Sequence, residues 1–322
     1  MLLGNATVDT ITERPIDGRI YSIYELHNLT ITNNNLEHLE FPGTTYLTLS
    51  IPQYGHLLHD IYAQWRMMED MCGANIVLTN VAERGMFYGN GWLPKVMEDF
   101  LEITSYDKTK IIDISLHNYK FEKVVAIFDM CNLTPYFLHY LPFCNCYIGT
   151  DSCGRSEWFK YNEDAVKILR QDFGHLFKPN AHRKIYISRR RYEEEYKKQI
   201  EQGKDLSRAK MRYFGNEPLV ESFFADKGYE IIHAQDFGLY EQIAMFSEAS
   251  HIASISGTGL INLIWGGSHT TGIEISGIPG YRWHYDTFAG YANVGNYLKL
   301  DITGFDDTAI LESLNIAIGK NN

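Results

Sequence analysis

Apolar residues recur along this chain with two periods, one typical of strands and the other of helices. In the first half, four short apolar runs predict strands at TYLTLSI (45–51), ANIVLTN (74–80), KIIDIS (110–115) and KVVAIF (123–128). Residues 56–72 carry apolar side chains at helical spacing, and Pro94 begins a second predicted helix that reaches about residue 103. Residues 1–44 are more polar, and we expect edge strands and loops there.

The second half repeats this alternation more clearly. Strands are predicted at KIYIS (184–188), YEIIHA (229–234), HIASIS (251–256) and TGIEIS (271–276). Helices are predicted at 165–177, 216–228 and 239–249 and after the turn at 257, and residues 193–210 predict a charged, exposed helical insertion. Strands alternating with helices indicate βαβ units and sheets with parallel pairing.

We therefore predict an α/β protein with two Rossmann-like domains. Residues 1–180 form the first domain and residues 181–290 the second. Residues 291–322 are expected to be a tail or helix that packs back on the first domain.

The composition of the chain limits the kinds of partner that it is expected to bind. The 322 residues carry a formal net charge of −11, which repels a polyphosphate backbone, so nucleic acid is not an expected partner. Five cysteines without regular spacing favour reduced thiols, and the N-terminus lacks the pattern of a signal peptide. No apolar run is long enough to span a membrane. We expect a cytoplasmic protein, and the sequence leaves its oligomeric state open.

Candidate chemistry begins at the loop Ser256-Gly257-Thr258-Gly259, which joins a predicted strand to a predicted helix. Two glycines permit close backbone approach, and the start of a helix offers unpaired N–H groups to an anion. Tight packing at a strand-to-helix turn explains the same pattern. The loop is neither the GxGxxG dinucleotide fingerprint nor a Walker loop, which disfavours dehydrogenases and P-loop proteins.

Arg189-Arg190-Arg191 follow the first strand of the second half, so they are expected at the same sheet edge as the glycine loop. Guanidinium groups can bind phosphate through two parallel hydrogen bonds. Pairing with the acidic run at 193–195 is the alternative. Arg212 is a further candidate cation. Glu274, in the strand after the glycine loop, can accept hydrogen bonds from ribose hydroxyls or form a surface ion pair.

In order and spacing, these motifs resemble glycosyltransferase family 61. The resemblance rests on YISRR, an Asn-Glu pair that opens a helix, an "EQI" helix, the glycine turn and IEIS, and extends more thinly to QYGHLLHD (53–60). The matching positions are Arg189, Arg191, Asn216, Glu217, Glu241, Gln242, Gly257, Gly259, Leu260, Asn262 and Glu274. Where the family usually has His before the turn, this chain has Ser256, and Thr258 replaces a small residue.

The resemblance implies a GT-B-like architecture, in which the two Rossmann-like domains face a cleft. It also implies a nucleotide-sugar donor in the C-terminal half and inversion at the anomeric carbon. The donor is expected to be a UDP- or GDP-sugar, the acceptor a glycan or glycoconjugate, and no cofactor is expected. The sequence contains no Asp-x-Asp, the carboxylate pair that holds a metal in metal-dependent sugar transferases. Arg side chains and helix N-termini would then stabilise the leaving diphosphate.

An inverting transfer needs a base for the acceptor proton. His56, His59 and Asp60 share one face of a predicted helix, and His56 or Asp60 is the candidate base. A metal site or a structural role is the alternative for these three residues. His233 and Asp236, after a strand, are candidates to contact the nucleobase or sugar.

Two other functions fit the same pattern. Polysaccharide pyruvyl transferases combine a similar architecture with phosphoenolpyruvate as donor. A non-catalytic sugar-binding relative is the second alternative; retention of Arg189, Arg191 and Glu274 disfavours it, whereas Ser256 keeps it open.

Overall fold

The structure, a computed structural model, describes residues 2–3, 7–16, 19–32, 37–48, 58, 76–78, 99, 102, 111–113, 118–129, 163–178, 180, 182–202, 214–277 and 285–319. The chain divides into two compact units. The first contains residues 1–93 and 100–169, and the second contains residues 94–99 and 170–322.

The first unit is built on a seven-stranded mixed sheet. Its strands are β1 (Leu2–Leu3), β2 (Thr7–Ile16), β3 (Arg19–Thr32), β4 (His38–Thr48), β5 (Ile76–Leu78), β6 (Ile111–Asp113) and β7 (Asn118–Asp129). The order is β1-β3-β7-β4-β5-β6, and β2 also pairs with β3. Strand β3 is antiparallel to β1, β2 and β7, whereas β7-β4-β5-β6 are joined in parallel.

The four predicted strands of this half are present, but the polar N-terminal segment differs from our expectation. It forms a long β2–β3 hairpin whose second strand lies inside the sheet, between β2 and β7. An antiparallel strand can be polar on one face, so its sequence lacks the continuous apolar run of a buried parallel strand. The predicted helix at 56–72 lies outside the described residues, apart from Leu58.

The described part of the second unit contains five strands and most of the described helices. Its strands are β8 (Arg183–Ile187), β9 (Glu230–Ile232), β10 (Ala249–Ile255), β11 (Thr271–Ser276) and β12 (Asn296–Asp301). The helices are α1 (Glu163–Phe173), which crosses between the units at residue 170, α2 (Arg190–Glu201), α3 (Glu217–Asp226), α4 (Leu239–Ser247), α5 (Tyr285–Tyr291) and α6 (Asp307–Gly319). Short 3₁₀ helices span Gly174–Leu176 and Ala234–Asp236, and a longer one spans Thr258–Trp265.

These five strands are all parallel, in the order β9-β8-β10-β11-β12. In chain order this is 2-1-3-4-5, the order of one class of doubly wound α/β sheet. The chain moves outward from β8 to β9, then returns to the other side of β8 at β10. The strand order therefore reverses between β8 and β10, and the α/β class predicted from the sequence is confirmed.

Alternation along the strands places a core on each face of this sheet. On one face Tyr186, Ile255 and Ile275 pack with residues of α3 and α6. On the other face the 3₁₀ helix Thr258–Trp265 lies close to the strands, because a Cβ on Gly272 of β11 would meet the Leu263 side chain at 2.9 Å. Trp265 is fully buried there, with its ring edge-on to Phe173.

The end of the chain differs from the predicted tail. Strand β12 extends the sheet alongside β11, and α6 contributes Ile310, Leu314 and Ile318 to the core of the same unit. The compact fold of the second half therefore continues to about residue 319 instead of ending near 290.

Residue 99 also belongs to this unit. Asp99 Oδ2 accepts a hydrogen bond of 2.7 Å from the N–H of Leu239, the first residue of α4. The N–H of Gly238 donates to Glu241 Oε2 at 2.8 Å. Two carboxylates thus satisfy N–H groups at the start of α4, which have no partner within the helix.

Candidate active site

Two strand ends converge where the order of the C-terminal sheet reverses. Arg189 lies two residues beyond β8, and its Nη1 donates to the carbonyl oxygen of Ser256, directly after β10, at 2.8 Å. A Cβ on Gly257 would lie 3.3 Å from both Cδ and Nη1 of Arg189, so glycine permits this close approach. The predicted convergence of Arg189 and the glycine turn is therefore present. Ligands of open parallel sheets bind beyond the carboxyl ends of strands at such a reversal.

A buried carboxylate fixes the backbone of Arg189. Glu217, the first residue of α3, is fully buried, and its Oε1 accepts 2.9 Å hydrogen bonds from the Arg189 N–H and the Tyr186 hydroxyl. Burial raises the pKa of Glu217, and the hydrogen bond and charge of Arg189 partly oppose that shift. Its Oε2 has no hydrogen-bond partner among the described residues. We expected Glu217 to contact the donor; its contacts instead hold Arg189, and a role in donor binding stays a prediction.

A second buried acid lies in α2, four residues after Arg189. Glu193 is only 6% exposed, and its Oε1 accepts a 2.9 Å hydrogen bond from the N–H of Phe214. Burial raises its pKa to about 7, and the charge of Glu217 adds to the rise while that of Arg189 opposes it. We expected the helix at 193–210 to be exposed, and for Glu193 that prediction is wrong. Helical periodicity gave no signal for it, because its neighbours are charged.

The three consecutive arginines diverge. Arg190 Nη1 lies 2.8 Å from Glu221 and its Nε 3.9 Å from Glu194, so the predicted pairing with the acidic run occurs at this residue. Arg191 Nη1 lies 2.6 Å from both carboxylate oxygens of Asp236. Both side chains of the Arg191–Asp236 pair are about half exposed. An exposed pair of this kind contributes about 0–1 kcal/mol, so a charged ligand can displace it.

The turn that carries Asp236 is stabilised by hydrogen bonds from a buried side chain of α4. Gln242 is fully buried, and its Nε2 donates 3.0 Å hydrogen bonds to the carbonyls of Ala234 and Phe237. His233 is the first residue of this turn and is half-buried. Its pKa is lowered, mainly by burial and also by the positive charge of Arg191. The amide of Gln242 supports the turn, and its expected contact with the donor stays a prediction. Asn216 precedes α3, and its carbonyl accepts from the N–H groups of Leu219 and Val220 at 3.1 Å.

Ser256 and Glu274 form a buried pair. Ser256 Oγ donates to Glu274 Oε1 at 2.6 Å, and both side chains are about 1% exposed. Glu274 Oε2 accepts from the Tyr297 hydroxyl and lies 3.2 Å from Lys299 Nζ. Burial and the charge of Glu274 raise the pKa of Tyr297. Sequence reasoning missed Tyr297 and Lys299, although the alternation of NYLKLD (296–301) is the pattern of an edge strand.

The other predicted residues of the glycine turn and its 3₁₀ helix differ in how exposed they are. Thr258 is exposed at the start of the 3₁₀ helix, where N–H groups lack partners within the helix. A Cβ on Gly259 would lie 3.0 Å from Cγ2 of Ile187, so a larger residue here would have to displace that side chain of β8 by a few tenths of an ångström. Asn262 is fully buried, and its expected contact with the donor stays a prediction.

Three predicted residues, His56, Asp60 and Arg212, lie outside the described residues. Within the described ranges, no group of three His, Cys, Asp or Glu side chains is arranged to hold a metal ion. None of the helices in those ranges combines the length and apolar character needed to cross a bilayer.

The sequence profile of the family described as Glycosyltransferase 61 matches residues 54–273, about two thirds of the chain. This chain belongs to glycosyltransferase family 61. The matched range of this family 61 glycosyltransferase includes the Arg189–Ser256 contact, the Asp236 turn and the glycine turn. No curated protein matches the chain. As a glycosyltransferase, the protein would bind a sugar donor and an acceptor.

Proposed function

We propose that this protein is an inverting, metal-independent glycosyltransferase. It moves a hexose or pentose from a nucleotide-sugar donor, a UDP- or GDP-sugar, to a hydroxyl of a glycan or glycoconjugate. In this proposal two Rossmann-like domains face a cleft in a GT-B-like arrangement, and the C-terminal domain binds the donor. The observation that carries the proposal is the contact of Arg189 with Ser256 and Gly257 at the reversal of strand order.

The proposed site handles the charge that develops on the leaving diphosphate. Arg189 already lies beside the backbone of the glycine turn, and Glu217 fixes its N–H, so little reorganisation is needed to receive a phosphate oxygen. The N–H groups at Thr258 and Gly259 supply further donors. Arg191 adds a second cation when a phosphate displaces Asp236.

In the transfer step, the acceptor oxygen forms a bond to the anomeric carbon while the bond from that carbon to the diphosphate oxygen breaks. The bonding electrons leave with the diphosphate, and the acceptor proton passes to a base. His56 or Asp60, both outside the described residues, is the proposed base, and the second would orient the first. His233 and Asp236 are proposed to contact the nucleobase or sugar, with Glu274 proposed near the ribose.

Calorimetric titration of UDP and GDP tests the donor site. Replacing Arg189 by Ala removes a charge-assisted hydrogen bond, which is expected to cost about 1.5–3 kcal/mol, or roughly tenfold to a hundredfold in affinity. The matched control is Arg183→Ala, which removes the same charge from the opposite end of β8, where Arg183 pairs with Glu230. The control is expected to bind nucleotide as the wild type does.

Unchanged affinity in the Arg189→Ala protein would remove this residue from the donor site. Failure of every nucleotide to bind, together with activity on phosphoenolpyruvate, would favour the pyruvyl transferase alternative.

A further inference from the structure

A pocket of about 310 Å³ lies in the C-terminal unit at the opposite edge of the sheet from Arg189. Its walls come from segments that precede strands. Ser247 ends α4 before β10, Gly267 and His269 precede β11, and Asn293 precedes β12. In a parallel sheet these positions mark the amino ends of the strands, whereas the candidate donor site lies at the carboxyl ends. The pocket is therefore a separate site.

The charge in this pocket belongs to Arg170. Its Nη1 donates to the backbone carbonyls of Ile264 and, at 2.6 Å, Gly266, at the end of the long 3₁₀ helix. Its guanidinium carbon lies 5.1 Å from the centroid of the Phe177 ring. Among the described residues, no carboxylate lies within ion-pair distance of Arg170, and burial lowers its pKa. A desolvated cation whose partners are neutral carbonyls and a ring attracts an anion.

Donors for that anion remain on the same guanidinium. An arginine has five N–H groups, and those of Nη1 are directed to the two carbonyls. The N–H groups on Nε and Nη2 have no hydrogen-bond partner in the described part of the chain, and neither atom is sealed from solvent. Their parallel arrangement matches the two oxygens of a carboxylate or phosphate. Phe177 and Trp265 provide apolar walls beside them.

The frame around the pocket is fixed before any ligand arrives. Thr270 Oγ1 accepts from the N–H of Gly267 at 3.1 Å and donates to the carbonyl of Ala249 at 2.9 Å. Gly295 packs so closely on the carbonyl of Ser268 that a Cβ would overlap it. A pocket with rigid walls binds with a smaller entropic cost than one that must be ordered by the ligand.

We propose that this pocket is a second ligand site, which binds a small oxyanion, a carboxylate or a phosphate, through the Nε and Nη2 donors of Arg170. The volume is at the lower end of ligand pockets, so the ligand is smaller than a nucleotide sugar. This site is independent of the proposed donor site, because neither Arg189 nor its contacts Glu217, Ser256 and Gly257 line the pocket.

The test uses the full chain carrying Arg189→Ala, which weakens phosphate binding at the opposite sheet edge. Inorganic phosphate, acetate and benzoate are titrated by calorimetry at constant ionic strength. We expect saturable binding of at least one probe, with an affinity that Arg170→Gln lowers by about tenfold or more, as for a lost charge-assisted hydrogen bond. Preference for phosphate identifies a phosphate ligand, and preference for benzoate identifies an organic carboxylate.

Arg170 also binds the end of the 3₁₀ helix, so Arg170→Gln can lower stability. Ser268→Trp is the second variant, since Ser268 is exposed at the pocket and a large side chain there fills it while Arg170 is retained. We expect Ser268→Trp to abolish binding and to leave the circular dichroism spectrum unchanged. Absence of saturable binding for all three probes would overturn the proposal, as would equal affinities in the parent protein and in Ser268→Trp.

Discussion

Replacement of Glu193 by Gln is expected to stabilise the protein at alkaline pH and to change its stability little under acidic conditions. The carboxyl has a pKa of about 7 in the folded chain, raised from its ordinary 4.5 mainly by burial. At pH values below 4.5 the group is protonated in both the folded and unfolded states, so it carries no electrostatic penalty. Between 4.5 and about 7 the unfolded chain ionises first, and stability falls as pH rises.

The size of the stabilisation follows from the difference between the pKa values of Glu193 in the folded and unfolded chain. Each pKa unit corresponds to about 1.4 kcal/mol, so the difference between 4.5 and about 7 sets a ceiling of about 3.5 kcal/mol. Gln retains an oxygen that can accept from the N–H of Phe214, so it removes the charge and keeps the hydrogen bond. We expect Glu193→Gln to raise the free energy of unfolding by about 1–3 kcal/mol above neutral pH.

Urea unfolding followed by circular dichroism at about pH 5 and about pH 8 measures this difference. Glu194→Gln is the matched control, because it removes the same charge from the next position of α2, where the side chain is exposed. The control is expected to change stability by less than about 0.5 kcal/mol at either pH. A Glu193→Gln effect that is the same at both pH values, or destabilisation at high pH, would refute the reasoning.

Three further predictions concern the proposed transfer. Gly257→Ala is expected to displace Arg189 by a few tenths of an ångström and weaken nucleotide binding about threefold to tenfold, whereas Gly290→Ala, where a Cβ meets nothing within 4 Å, is expected to leave calorimetric affinity unchanged. His56→Ala or Asp60→Asn is expected to lower kcat in steady-state assays while donor affinity is retained; normal turnover in both would place the base elsewhere. Activity is expected to persist in EDTA, and complete loss that Mn²⁺ or Mg²⁺ restores would exclude metal independence.

The sequence predicted the C-terminal strands and helices well because their signals are local. Gly228 has φ of +78° and ends α3 where the sequence placed the end of that helix. The strand from Ala249 to Ile255 ends in a nearly fully buried segment from Ile252 to Ile255, as expected of a central parallel strand. Strand β12 was not predicted because it lies at the edge of the sheet. Its sequence NYLKLD alternates polar and apolar residues, which is a weaker strand signal than the apolar segments of the central strands.

Contacts within the site were harder to predict because they depend on register and burial. The sequence placed Arg189 and the glycine turn at one sheet edge, but the divergence of Arg190 and Arg191 to separate carboxylates follows from the course of α2. Burial of Glu217 and Gln242 follows from the packing of α3 and α4 against the sheet. Likewise, the Ser256–Glu274–Tyr297 contacts require the β11–β12 register, which no local pattern specifies.

The hydrogen bond from Leu239 to Asp99 joins residues 140 positions apart, and residues 100–169 of the intervening chain belong to the other unit. The residues of α4 are therefore synthesised long after Asp99. The C-terminal unit is complete only when residues 94–99, which are synthesised early, pack against residues that are synthesised much later. Closing so long a loop adds little free-energy cost compared with a shorter one, but it delays the contact during folding. A fragment that starts at residue 170 would leave the first N–H of α4 without this carboxylate. The C-terminal unit is thus better obtained from the intact chain than as an excised piece.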